Sequence, residues 1–346
     1  MIAAVGLLSC LPAWGQAARR PWEYWNNPDA YFDNQGEILF ELIDRTLDRN
    51  PATDHPSEER QLALASLDAL LHDTYYDDCE AFHAFIEGRV AKVLSALDLP
   101  PRKGLEIFKL YNDGFIVRSG SGCVVGFDLC SARSGMTFIP QAQMQKLVRH
   151  CDMLFISHGD PDHADAAVVD MAANLGIPVY GPEDYQNSKV EGLRMEHFNF
   201  KYLAGIVPVR KVRVQALPGH QDNLQNNIYV VTFPDGNSVA HCGDQYSEED
   251  MAWLRSVSEK LTQPLDVLII DAWALNLRET IEGFAPRLVI FGHENEMVHG
   301  IDHREALWLS QYKSDAMGLG VPGVVMTWGE SYRYNRSSLR TLLRLK

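Results

Sequence analysis

MLFISHGDPDHADAAVVDMAANLG, residues 153–176, joins an apolar run to a helical pattern and places two histidines and two aspartates in between. The run before Ser157 reads as a buried strand, and the alanine-rich stretch after His163 reads as a helix. His158, Asp160, Asp162 and His163 therefore share one strand-to-helix junction. Each is costly to bury without a partner. Alone, the segment could be an ordinary polar turn, because Gly, Asp and Pro dominate turns. At this junction, however, Asp162 and His163 are expected near a helix N-terminus, where free N–H groups favour carboxylates. Imidazole and carboxylate are also the donors expected for Zn, Mn or Fe.

Three later segments repeat the plan. ALPGHQDN (216–223), VAHCGDQ (239–245) and LVIFGHENE (288–296) each end a strand-like run with a glycine and then a donor. The donors are His220, Asp244 and His293, after Gly219, Gly243 and Gly292. A glycine there permits close backbone approach and unusual dihedrals. Donors following strands in this way collect at one rim of a sheet. His241 reads as pointing elsewhere on its strand, and a role in supporting the site is the lesser reading for it and for Asp271. Glu294, Glu296 and His299 read as solvated loop residues, and Trp273 and Trp328 as core or pocket wall.

The chain divides in two by texture. Residues 21–101 read as helical, with apolar positions such as Ile38, Leu39, Leu42, Ile43 and Leu47 near a 3.6 period. His55, His72 and His83 are scattered through this block and form no catalytic constellation. After Pro101, short β-rich runs are separated by Asn-Asp-Gly and Gly-Ser-Gly, which read as hairpin turns. Strands and helices then alternate. Strands are expected at MLFIS, IPVYG, VRVQAL, NIYVVTF, NSVAH, DVLIID, RLVIF and GVVMTW. Helices are expected after His163 and over 247–261, 274–283 and 303–315. The pattern predicts sheets covered by helices.

The set of donors resembles the metallo-β-lactamase superfamily, whose signature begins H-x-H-x-D-H and continues with His, Asp and His at the ends of later strands. The resemblance covers residues 104–346. It implies an α/β fold, a four-layer αβ/βα sandwich, here with an N-terminal helical extension. Asp160 departs from the common pattern, which has a second His there. The H-x-D-x-D-H variant is similar to the hydrolase domain attached to bacterial DNA-uptake channels, and HCGD at 241–244 is similar to the lactonase-like branch. Asp128 matches an Asp that supports the site in this family.

The resemblance implies a dinuclear site. His158, Asp160 and His220 would hold one metal, Asp162, His163 and His293 the other, and Asp244 would bridge them. Asp162 and Asp244 are the carboxylates expected to take part in the chemistry. Two divalent ions are expected, Zn2+ first and Mn2+ or Fe2+ as alternatives. The charges of two dications, three carboxylates and a bridging hydroxide cancel, which suits a partly buried pocket. Asp160 adds charge and a harder donor than imidazole, which weakens zinc selectivity. The expected activity is metal-dependent hydrolysis of a small-molecule phosphodiester, lactone or other ester. The alternatives are a metal-binding protein without catalysis, a β-lactamase-like amide hydrolase, and a di-iron oxidoreductase.

Composition sets outer limits. Of 346 residues 46% are apolar and 22% charged, the mix of a globular protein, and the net charge of -15 argues against sequence-independent binding to nucleic acid. The opening MIAAVGLLSCLPAWG suits a signal peptide over residues 1–15, hence a periplasmic or secreted protein, with lipoprotein processing at Cys10 a weaker fit. The apolar stretch is too short to span a bilayer. Cys123 and Cys130 could pair across a hairpin, but buried thiols are the preferred reading. Oligomeric state and the role of the helical block are not specified by the sequence.

Overall fold

The structure, a computed structural model, describes residues 26–72, 79–193, 199–204, 211–300 and 303–336. Residues 1–15, read as an export signal, lie outside the described residues. Among those described, no helix is long and apolar enough to cross a membrane.

Among the described residues three helices come first: α1 (Pro28–Arg49), α2 (Glu58–Leu71) and α3 (Glu80–Leu97). Ser57 caps α2 by accepting a hydrogen bond from the Arg60 amide at 3.2 Å, with Glu58 and Glu59 in the first turn. There follow β1 (Leu105–Lys109), β2 (Phe115–Ser119), β3 (Val124–Phe127), β4 (Ala132–Arg133), β5 (Met136–Thr137), α4 (Gln141–His150), β6 (Met153–Phe155), α5 (Ala166–Asn174), β7 (Val179–Gly181) and β8 (Glu191–Gly192). The second half contains β9 (Lys201–Ala204), β10 (Lys211–Gln221), β11 (Leu224–Thr232), β12 (Ser238–His241), α6 (Met251–Leu254), β13 (Val267–Asp271), α7 (Leu277–Phe284), β14 (Leu288–Gly292), α8 (Leu307–Ala316), β15 (Gly323–Val324) and β16 (Ser331–Tyr334).

The strands form two seven-stranded sheets and one small hairpin. The first sheet runs β16-β1-β2-β3-β6-β7-β8 and the second β15-β14-β13-β12-β11-β10-β9. Each is antiparallel on one side and parallel on the other, with the change at β3 and β12 respectively. The parallel strands are connected through helices, except β7 and β8, which are joined by a run of turns.

Side-chain alternation divides the strands between two cores. Val267 and Ile269 of β13, Leu288 and Ile290 of β14, and Leu105 and Ile107 of β1 belong to an apolar cluster shared by the two sheets. Their neighbours Leu268, Ile270, Val289, Phe291 and Phe108 belong to another, shared with the helices. The layering is therefore helix, sheet, sheet, helix. Strands covered on both faces read as continuous apolar runs, which is why DVLIID and RLVIF stood out.

Several expectations change in detail. The helix after the motif starts at Ala166, capped by Asp165 through the amides of Ala167 and Val168. Asp162 and His163 lie in the turn before it. The expected helix over 247–261 is broken into α6 and a 3-10 turn at Val257–Lys260. GVVMTW contributes only Gly323–Val324 as strand. β16, which was not anticipated, pairs with β1 and completes the first sheet. All five described cysteines are buried, and Cys123 and Cys130 form no disulfide with each other.

The helical block is held to the sandwich by buried charge as well as apolar contact. Arg60 of α2 makes two 2.7 Å contacts with Glu330 and donates to the Val325 carbonyl at 2.9 Å. Arg89 of α3 donates to the Trp328 carbonyl at 2.7 Å. Trp328 packs between Phe82 and Tyr111, which makes it a core residue at this junction.

Candidate metal centre

The donors meet where one rim of the two sheets coincides. His158, Asp160, Asp162 and His163 follow β6, Asp244 follows β12, and His293 follows β14. Two glycines make this approach feasible. Gly243 has φ +52°, and a Cβ on it would lie 2.4 Å from the Cβ of Ser157, the residue before His158. A Cβ on Gly292 would lie 2.1 Å from Asp113 Oδ1.

His163 Nε2 lies 3.1 Å from Asp244 Oδ1 and 3.3 Å from Asp162 Oδ2. His293 Nε2 lies 3.5 Å from each of the same two oxygens. On the other side, His158 Nε2 is 3.7 Å from Asp244 Oδ2 and 3.6 Å from Asp160 Oδ2. Two donors sharing one ion at about 2.1 Å in a tetrahedral arrangement would be roughly 3.4 Å apart. The observed separations match that spacing. His158–His163–Asp244 and Asp162–His163–His293 each form a group able to hold a metal ion. The buried His158 Nε2, His163 Nε2 and Asp244 Oδ1 also have no hydrogen-bond partner. Buried polar atoms in that state are rare, and these three face one another.

The electrostatics call for positive charge. Burial would lower the pKa of His163, but Asp244 and then Asp162 raise it well above its usual value. His293 is raised by Asp244 and Asp162 in the same way against its burial. Burial would raise Asp162 and Asp244, but His163 holds both carboxyls well below the ordinary carboxylate range. Bound dications would supply the charge that the imidazoles supply here.

The structure brings together six of the seven donors expected from sequence. His220 stands apart: its side chain is 40% exposed, and its Nδ1 faces Asp250 at 3.1 Å. It makes no ion pair or ring contact with the other six. Its neighbour Gln221 donates to Asp244 Oδ2 at 3.0 Å.

A buried layer fixes the donors. Asp128 accepts hydrogen bonds from the Ser157 amide at 2.7 Å and from Ser157 Oγ, and its Oδ2 faces His163 Nδ1 at 2.9 Å. That arrangement presents Nε2 to the cluster. Asn112 donates to Asp162 Oδ2 at 3.0 Å and lies 3.1 Å from His293 Nε2. His241 stacks on Phe127 and faces Asp113 Oδ2 at 3.2 Å. Asp113, Asp244 and Asp271 form a further buried group, and burial with Asp113 and then Asp244 beside it pushes Asp271 well above its usual pKa.

Sequence reasoning missed Asn112, Asp113 and Arg133. The first two sit in an Asn-Asp-Gly turn that reads as solvent-facing, yet they are 0% and 1% exposed. Glu294 and Glu296, expected in solvent, are each 1% exposed. Glu294 pairs with buried Lys109, and Glu296 with Arg133 and His299. Trp273 forms part of a pocket of about 370 Å³ over the donors, edge-on to His293 at 5.5 Å. A larger hollow of about 590 Å³, beside His83 and Glu87, lies away from the donors and is open to solvent.

Two mixed sheets face each other between helices, with the H-x-D-x-D-H turn and later strand ends meeting at one rim. The chain thus has the four-layer αβ/βα arrangement that the sequence resemblance led us to expect. No family model and no curated protein matches it. Among solved structures it is similar to CmlA, a diiron β-hydroxylase from Streptomyces venezuelae, at 15% identity and TM-score 0.46, over 68% of this chain and 55% of that one. This chain thus spans little more than half of the hydroxylase. It is also similar to an isothiocyanate hydrolase from Delia radicum gut bacteria, at 11% identity and TM-score 0.48, over 66% and 99% of the two chains. For the metallo-β-lactamase IND-7 the values are 17% and 0.31, over 60% and 94%.

Proposed function

We propose that the protein is a metal-dependent hydrolase with a dinuclear centre, acting on a phosphodiester, a lactone or another ester. The observation that carries this reading is the placement of Asp244. Its Oδ1 faces His163 and His293, while its Oδ2 faces His158. A carboxylate turned to two donor sets in this way suits a bridge between two ions. Asp162, His163 and His293 would hold one ion. His158 and Asp160 would hold the other, with His220 joining them by a turn of its half-exposed ring.

Two bound dications would supply a water of lowered pKa and a Lewis acid for the bond to be cut. The chain's own residues do the rest. Asp128 and Ser157 hold the imidazoles of His163 and His158 in orientation. Asp250 does the same for His220, and Asn112 steadies Asp162. Trp273 covers one side of His293 and limits access of bulk water there. Export to the periplasm or beyond, read from residues 1–15, belongs to the same proposal.

The test pairs elemental analysis of the protein as isolated with assays on phosphodiester, lactone, thioester and β-lactam substrates. About two metals per chain and turnover of a phosphodiester or ester are expected. Less than one metal per chain, and no turnover after Zn or Mn is supplied, would favour a non-catalytic protein.

A further inference from the structure

Taking that hydrolase reading as its basis, we propose that Arg133 recognises the substrate, and that the substrate carries a carboxylate or phosphate close to the bond that is cut. The argument begins with the hairpin that presents this side chain. β4 and β5 are joined by Ser134 and Gly135, both at positive φ, +52° and +89°. That is the two-residue turn whose twist matches paired strands, so the hairpin is stiff for its length. Its base is anchored as well. Asp165 accepts from the Ser131 amide at 2.8 Å and from Ser131 Oγ at 2.6 Å, and the Ser131 carbonyl accepts from the amides of Phe138 and Ile139. The same Asp165 caps α5, so the hairpin and the metal-binding turn share one support.

Arg133 extends from this hairpin into the wall of the pocket that contains Asp160, Asp162, Asp244 and His293. Its side chain is 18% exposed. Nη1 is the nitrogen turned to the acids: it lies 3.0 Å from Asp162 Oδ1 and pairs with Glu296. Nε and Nη2 donate no hydrogen bond to a described residue. Those two nitrogens form one edge of the guanidinium, the fork that matches two oxygens of a carboxylate or phosphate.

Asp162 sets the distance. Its Oδ2 faces His163, His293 and Asn112, and its Oδ1 faces Arg133. One carboxylate therefore separates the guanidinium from the donor cluster. A substrate with its reacting group at the donors would place a neighbouring anion at the open fork. Glu296 does not exhaust the arginine, since His299 Nδ1 also reaches it at 2.6 Å.

The test uses the full chain loaded with metal, and compares wild type with Arg133→Met and Arg133→Gln. Metal content is measured first. Inorganic phosphate and succinate are then titrated calorimetrically, which separates a preference for phosphate from one for carboxylate. Both variants should retain metal and bind at least one of these anions about tenfold more weakly than wild type, the size expected for losing a charge-assisted hydrogen bond. Unchanged affinity for both anions overturns the proposal. So does loss of metal from both variants, because the guanidinium would then be serving the acids.

A second measurement separates this inference from the hydrolase reading. Paired esters differing only in a free or methylated carboxylate are offered to wild type and Arg133→Met. The wild-type preference for the free acid should fall about tenfold in the variant. Cleavage of both esters with an unchanged preference would sink the role of Arg133 and leave a hydrolase standing. If wild type cleaves neither ester, the wider substrate panel decides the hydrolase reading, and the anion titrations still decide the role of Arg133.

Discussion

Asp68, on the second helix of the N-terminal block, accepts a hydrogen bond at 2.8 Å from Asn295, two residues beyond His293. The same carboxylate accepts the amides of Leu307 and Trp308 at the start of α8. Both His293 and Asn295 have positive φ, 61° and 58°, an unusual backbone for residues other than glycine. The helical block thus braces the loop that carries one of the donors.

Asp68→Ala removes three hydrogen bonds from a buried place. It should cost about 2–4 kcal/mol of stability, since unsatisfied buried groups cost about 1–3 kcal/mol each and some will find water. Denaturant unfolding measures the loss, and a metal titration should show weaker binding in parallel. A stable variant with unchanged metal affinity would mean that the brace is unimportant.

Asp68 also predicts a pH dependence. Burial pushes its pKa up to about 6, from the ordinary 3.8 of an aspartate. The folded state therefore binds the proton more tightly than the unfolded state does. This group's stabilising contribution is full below pH 3.8 and is lost as pH rises through 6. Relative to Asp68→Asn, the wild type should lose stability across that window and then level off. A flat difference between the two melting curves from pH 4 to pH 7 would contradict it.

Asp128→Asn keeps the shape beneath His163 but exchanges a carboxylate for an amide. Removing such a support from a metal-binding histidine typically costs about 10–100-fold in metal affinity. Competition with a chelator reads this directly. Affinity within a factor of two of wild type would show that Asp128 serves folding alone.

Asp160→His restores an imidazole where the chain has a harder, charged donor. The variant should recover with a larger share of zinc and a smaller share of manganese or iron. The acid limb of its pH–rate profile should move down, because less negative charge surrounds the metals. Identical metal content and an identical profile would remove the special role given to this position.

Arg60 and Glu330 make a buried bidentate pair between α2 and the turn before β16. Arg60→Met should destabilise by about 3–5 kcal/mol, because it leaves Glu330 buried without its main partner. Adding Glu330→Leu should recover part of that loss, an outcome that denaturant unfolding of the double variant can check.

Much of the layered fold was legible because strands buried on both faces read as unbroken apolar runs. The candidate donors were legible because four of them crowd into one turn and three others each follow a glycine, and the structure gathers six of the seven. What escaped reading depends on distance through space. Asn112 and Asp113 look like a hairpin turn, and only the nearness of β14 turns that hairpin inward. Arg133 lies in a two-strand hairpin too short to register as strands. Glu294 and Glu296 look exposed until Lys109 and Arg133 arrive from remote segments to pair with them. His220 was legible as a histidine at a strand end, but its rotation toward Asp250 is not written in local sequence.

The pairing of β1 with β16 has a consequence for how the molecule is made. The strand that opens the first sheet has as its outer neighbour one that emerges only after the whole second sheet has been synthesised. Until then β1 presents an unpaired edge, and contacts between such remote segments form slowly. The helical block precedes β1 in the chain and can fold early, but its Arg60 must wait for Glu330. Maturation should therefore end in one late step that closes the sheet and neutralises that arginine together.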